Sequence, residues 1–227
     1  MKKFELLLIK LARKNIIKMS DQKFLDLCFD YYLGKKINWK NPQTYNEKLQ
    51  WLKIYDRQDS YTKMVDKYEA KEYVKNIIGE EYIIPTIGIY DKFENIDFEK
   101  LPQQFVMKCT HDSGGLVICK DKSKLNLKEA KRKINQCLKV NYFNCWKEWP
   151  YKNVKPRIII EKYMTNDDSD GINDYKFFCF NGKVKLLFIA TDRVNENEET
   201  KFDFYDENFN HLPIKNGHPN ALVPPSK

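Results

Sequence analysis

Lys108 is the lone cation in the apolar run FVMKC, and the chain then passes through His111, Asp112, Ser113, Gly114 and Gly115 into a second apolar run, LVIC. A cation on a strand beside a two-glycine loop suits a phosphate, because bare backbone N–H groups approach an anion closely. The same pattern also suits an ordinary hairpin. Glu161 is a second isolated charge, the single acid of the apolar run RIIIEKYM. A third cluster lies in DYKFFCFNGKVKLLFIATDR, where Asn181-Gly182 between two apolar runs calls for a two-residue type I′ turn. That turn sets Phe180 opposite Lys183, Phe178 opposite Lys185 and Lys176 opposite Leu187. It also puts Asp174, Lys176, Lys185 and Arg193 on one sheet face. Such a face makes a poor core, so either water or an anionic ligand covers it.

The elements that must position these groups can be read from periodicity. Phe24, Leu27, Cys28 and Tyr31 recur at helical spacing between a capping Ser20 and Gly34. Thr44 and Glu47 spell a capping box ahead of Leu49, Leu52 and Ile54. A third helix is expected from Ser60 toward Gly79, and Asn126 is expected to cap a fourth through LKEAKRKINQCLKV. After Gly79 the pattern changes: YIIPTIGIYD reads as a strand, edge or buried, as do the runs around Lys108 and Glu161. On the first of those runs, Val106, Lys108 and Thr110 share one face while Phe105, Met107 and Cys109 share the other. KFDFYDEN adds a possible last strand before a proline-rich end. The order is α+β, with a helical region over 1–101 and the glycine loop and antiparallel sheets over 102–227.

The chain has 227 residues, 42% of them hydrophobic and 14% aromatic, enough for a well-buried core. A net charge of +8 favours anionic partners. The cysteines include no C-x-x-C pair and read as reduced, buried small hydrophobes, which suits a cytoplasmic protein without a zinc site. The basic N-terminal segment MKKFELLLIKLARKNIIKM is too charged for a signal peptide or a membrane span. As an amphipathic helix it either packs on its own domain or makes peripheral contact with an anionic membrane.

No G-x-x-x-x-G-K-[ST] loop, no G-x-G-x-x-G fingerprint and no H-R-D with D-F-G set is present, which excludes those routes to a nucleotide. A lysine-bearing strand, a glycine loop and a later acid-bearing strand remain, as in two sheets enclosing a nucleotide cleft. In their order and spacing YIIPTIGIYD, LPQQFVMKCTHDSGG, IIIEKYM and DYKFFCFNGKVKLLFIATDR resemble the TupA-like branch of the ATP-grasp family, from about Asp21 to Pro219. That branch is associated with teichuronopeptide, capsule and other surface-polysaccharide assembly. The resemblance implies a ligase that joins a carboxylate to an amine or related nucleophile through an acyl phosphate, using ATP and Mg²⁺. Its partners would be a nucleotide and an amino-acid or sugar-acid substrate, with no nucleic acid.

Carried onto this sequence, the resemblance implies that Lys108 reaches the ATP phosphates and that Ser113, Gly114 and Gly115 close over them. Glu161 would begin the adenine hinge, with the backbone of Lys162, Tyr163 and Met164 reading the base edge. Asp174 would meet the ribose, while Lys176 and Arg193 would steady phosphates or an acyl phosphate. Relatives continue into R-V-D and G-E-x-T motifs whose acids hold the metal, so the Mg²⁺ ligands are expected beyond Lys227 and this chain as a truncated form. Two other readings stay open. One is a nucleotide-sugar glycosyltransferase using Asp168-Ser169-Asp170 as a D-x-D metal motif, and the other is a nucleotide-binding scaffold without catalysis.

Overall fold

The computed structural model describes residues 2–165, 172–192 and 198–225. Two compact units divide the chain, Met1–Tyr163 and Met164–Lys227, so the division expected near residue 102 falls inside the first unit.

Unit 1 begins with helices α1 (Lys2–Arg13), α2 (Asp21–Leu33), α3 (Tyr45–Tyr55), α4 (Ser60–Val65) and α5 (Glu69–Ile78). Their ends follow the sequence. The Ser20 hydroxyl accepts from the Lys23 N–H, and Gly34 closes α2 in the left-handed region at φ 63°. Thr44 and Glu47 form the full capping box, and these hydrogen bonds draw the Glu47 carboxyl down to about 2, those from the Thr44 and Asn38 backbone N–H groups above all. The single helix expected from Ser60 to Gly79 is instead two. Asp66 interrupts it: its Oδ1 accepts from the N–H groups of Tyr68 and Glu69 at 2.8 and 3.2 Å, satisfying donors at the start of α5.

The first sheet has the order β1-β4-β2-β3, all antiparallel, from β1 (Thr86–Tyr90), β2 (Phe105–Cys109), β3 (Leu116–Cys119) and β4 (Ile158–Lys162). Alternation sorts its faces as expected. Phe105, Met107, Cys109, Ile158 and Ile160 are fully buried and pack with Ala130 and Ile134 of α6 (Leu127–Leu138), which Asn126 caps through the Glu129 N–H. Lys108 and Glu161 lie on the other face. A short helix, α7 (Phe143–Trp146), follows α6, and α1 and α2 share a second core with Ile37.

Unit 2 is an antiparallel sheet in the order β5-β6-β7-β8, from β5 (Asp174–Phe180), β6 (Lys183–Thr191), β7 (Lys201–Asp206) and β8 (His211–Leu212). Asn181 and Gly182 both take positive φ, 49° and 73°, as a type I′ turn requires. The register departs from strict alternation. Phe180 faces Lys183 as expected, but a bulge at Phe178/Cys179 leaves Lys185 as the extra residue. Phe178 therefore pairs with Leu186 and Lys176 with Phe188, and Lys185 pairs with Glu207 instead of joining Asp174 and Lys176 in one row. The cysteines are free; Cys28, Cys109 and Cys119 are buried, while Cys179 is exposed, against the expectation for it. Among the described residues no helix is long and apolar enough to cross a membrane.

Candidate functional site

Glu161 sits on the central strand β4, directly opposite Val106 of β2 and Thr86 of β1. Its side chain is only 4% exposed, and such burial demands a counter-charge. Two lysines supply it. Lys108 Nζ lies 2.6 Å from Glu161 Oε2, and Lys71 of α5 reaches Oε1. Lys71 also donates to the Ile84 carbonyl at 2.7 Å and the Thr86 hydroxyl at 3.2 Å, so its ammonium is well satisfied. Burial pushes the Glu161 carboxyl up, yet the hydrogen bonds from Lys108 and Lys71 outweigh it and hold the group below the usual glutamate range. Glu161 is therefore a stable anion flanked by two cations, of which Lys108 is the more exposed.

A third lysine approaches the same place. Lys67, between α4 and α5, donates from Nζ to the Cys109 carbonyl at 2.8 Å and to the Asp112 carbonyl, and its backbone N–H donates to Thr110 at 3.1 Å. Burial lowers its affinity for a proton, an effect Asp112 opposes and the neighbouring Lys108 adds to. Asp66, almost fully buried, fixes the whole segment: Arg157 Nη2 lies 2.9 Å from its Oδ2 and 3.2 Å from Glu69. Lys67 and Lys108 thus lie together at the start of the loop, while Lys71 reaches Glu161 from the side of β1.

The loop itself answers why the strand runs into His-Asp-Ser-Gly-Gly. His111 and Asp112 are anchors. His111 Nε2 lies 3.1 Å from both the Cys137 and Val140 carbonyls at the end of α6, which makes this nitrogen the N–H donor. Asp112 Oδ2 accepts from the Gly115 N–H at 2.8 Å. Burial and the Asp112 carboxylate push the Cys109 thiol up to about 12 and the Cys137 thiol up to about 11, so both stay protonated. Ser113 and Gly114 are exposed at the tip, and among the described residues their N–H groups take no hydrogen bond. The two glycines differ. A Cβ on Gly114 would meet nothing within 4 Å, whereas one on Gly115 would come 2.9 Å from both Asp112 Oδ2 and Cys137 Cβ. Gly115 is a packing glycine; Gly114 leaves the backbone open.

Of the residues singled out from sequence, unit 1 brings together Lys108, Glu161 and the loop Ser113–Gly115. The Lys162 N–H already donates to Pro85 at 2.9 Å, and Tyr163 and Met164 stand at the boundary of the two units. In unit 2, Lys176 Nζ lies 2.8 Å from Asp174 Oδ2, both partly exposed. Arg193 and Asp168-Ser169-Asp170 lie outside the described residues. Lys67 and Lys71 were missed, because D-K-Y-E-A-K-E reads as a solvated helix face. The spacing Asp66-x-x-Glu69, a capping pattern, was the signal that would have ended α4 and begun a new helix at Glu69.

A family model described as TupA-like ATPgrasp matches residues 47–221. The chain belongs to the TupA-like ATP-grasp family. No curated protein and no solved structure matches it. Membership points to an ATP-grasp ligase type of function, and ATP-grasp proteins in general bind ATP with Mg²⁺. The unit 1 residues fit the nucleotide part: clustered ammonium groups and open N–H groups are what phosphate oxygens accept from. For the metal the described residues do not fit, since no group of His, Cys, Asp or Glu is arranged to hold one. Asp203 is committed to His211 and the Ala221 N–H, and Asp206 to Asn208 and Asn210.

Proposed function

We propose that unit 1 binds ATP with its phosphates against Lys108, Lys67 and the exposed N–H groups of Ser113 and Gly114, and that the protein is a ligase of surface-polysaccharide assembly. The observation that carries this is the Lys71–Glu161–Lys108 cluster beside the open glycine loop. Lys108 needs only to exchange one Glu161 oxygen for a phosphate oxygen, because Lys71 continues to neutralise the carboxylate. The exchange keeps every charge paired, which is why a buried acid can sit in a phosphate site.

In the proposed reaction a carboxylate oxygen of an amino-acid or sugar-acid substrate attacks the γ-phosphorus and ADP leaves, giving an acyl phosphate. An amine, or a related nucleophile, then attacks the acyl carbon, loses its proton and expels inorganic phosphate. Lys108 and Lys67 counter charge on the phosphates through both steps. The roles that the resemblance gives to Asp174, Lys176 and Arg193 remain attached to the resemblance alone.

Peripheral membrane contact belongs to the same reading. Ile9 and Ala12 of α1 are buried against α2, while Phe4 and Leu7 stay 65% and 51% exposed among the exposed Lys3, Lys10 and Lys14. Exposed apolar groups ringed by cations suit an anionic bilayer surface.

The test is thermal melting with and without ATP and Mg²⁺, followed by assay of ADP and phosphate in the presence of candidate acids and amines. A rise in Tm that Lys108→Ala removes, together with equimolar ADP and phosphate, is expected. Release of a nucleoside diphosphate from a sugar donor without phosphate would instead make the protein a glycosyltransferase.

A further inference from the structure

The aromatic run YFNCWKEWPYKN meets the basic N-terminal segment at a place that the nucleotide chemistry does not use. Arg13, the last residue of α1, lays its guanidinium 3.9 Å from the centre of the Trp146 ring. Its Nε and Nη2 are buried and have no hydrogen-bond partner. Lys147 is 7% exposed, with Nζ 5.3 and 5.0 Å from the ring centres of Phe24 and Phe143 and 3.9 Å from Asp21 Oδ1. Asp21 gives its other oxygen to Arg57 at 2.8 Å. Burial holds the Lys53 ammonium below the ordinary lysine range, and Glu148 opposes this only in part.

Charges removed from water are normally paired, and buried guanidinium donors are normally satisfied. Here Arg57 and Lys147 share Asp21, Glu148 acts on Lys53, and Arg13 lies against the Trp146 ring and the Cys28 and Cys145 thiols. Ring faces offset some of the deficit, since a cation over an aromatic ring gains electrostatically, but they supply no hydrogen-bond acceptor. What the junction lacks is negative charge with several acceptor oxygens.

We infer that this junction of α1, α2, α3 and α7 binds a phosphate-bearing ligand. Arg13 contributes the planar donor fork that suits a phosphate, and Lys53 and Lys147 contribute charge. Asp21 and Arg57 are each 25% exposed, so water reaches this pair. A dianionic phosphate matches the excess of cations better than a single carboxylate does. The phosphate is either a lipid headgroup or part of a soluble molecule.

The experiment uses the Lys108→Ala protein, so that the proposed nucleotide site is weakened, and inorganic pyrophosphate as the probe. At matched ionic strength, pyrophosphate is expected to raise its Tm by about 3 °C or more. Adding Lys147→Met should remove the rise while leaving the anion-free Tm equal or higher, because an underpaired buried charge has gone. Lys53→Met serves as a second variant. No rise in Lys108→Ala, or a rise that survives both Lys147→Met and Lys53→Met, overturns the site. Co-sedimentation with phosphatidic acid vesicles against phosphatidylcholine vesicles separates the sources. Loss of vesicle binding in Lys147→Met assigns the headgroup, and unchanged vesicle binding with lost pyrophosphate binding assigns the soluble phosphate.

Discussion

The two sheets use the same residue types to opposite ends. In unit 1, Glu161 is buried and shared by two lysines; in unit 2, Lys176 with Asp174 and Lys185 with Glu207 sit at partly exposed positions. The unit 1 carboxylate cannot be left alone, because an uncompensated buried charge is severely unfavourable. The unit 2 pairs lose little on separation, since water and salt replace the partner. Read as sequence, the row around Asn181-Gly182 left water or an anionic ligand as equal covers, and the strand of Lys108 left a phosphate site or an ordinary hairpin. Desolvation, which a sequence pattern does not state, separates the two regions.

Breaking the unit 1 cluster should have the largest effect. Glu161→Gln leaves Lys71 and Lys108 facing a neutral group, and urea unfolding should show a loss of about 3 kcal/mol. Gly115→Ala comes next, at about 2 kcal/mol, because its methyl group meets the Asp112 carboxylate and Cys137 at contact distances that must give. Acid titration sharpens the contrast further. The Glu161 carboxyl lies lower in the folded chain than its ordinary 4.5, so the stability it contributes is full above that pH. It is lost as pH falls below 4.5 toward the folded value, and the loss should be shallower in Glu161→Gln. In unit 2, Lys176→Ala and Lys185→Ala should each cost less than about 1 kcal/mol, and less again in high salt. Gly114→Ala should leave stability unchanged, since its methyl would meet nothing within 4 Å, which separates the open glycine from the packed one.

Local rules made much of this fold legible. Ser20 with Gly34, Thr44 with Glu47, Asn126 and Asn181-Gly182 act within a few residues, and each ends or turns its element as its chemistry requires. Alternation in FVMKC also placed Lys108 away from the core, because one face of that strand must be buried. What sequence spacing did not convey was the bulge at Phe178/Cys179, which depends on how two strands accommodate each other. The division of α4 from α5 was within reach through Asp66, but its partner Arg157 is 91 residues away. For the candidate site, Lys108, Glu161 and the loop were legible as isolated charges and glycines. Lys67 and Lys71 were not, because only tertiary contacts, of Lys71 with Thr86 and Glu161 and of Lys67 with Cys109 and Asp112, turn surface lysines into part of a cluster.

The central claim is that Lys108 leaves Glu161 to hold a phosphate of ATP. Calorimetric titration of ATP into the wild-type protein and Lys108→Ala addresses it most directly. Loss of one charge-assisted contact should weaken binding about tenfold or more. Equal affinity in the two proteins would contradict the account.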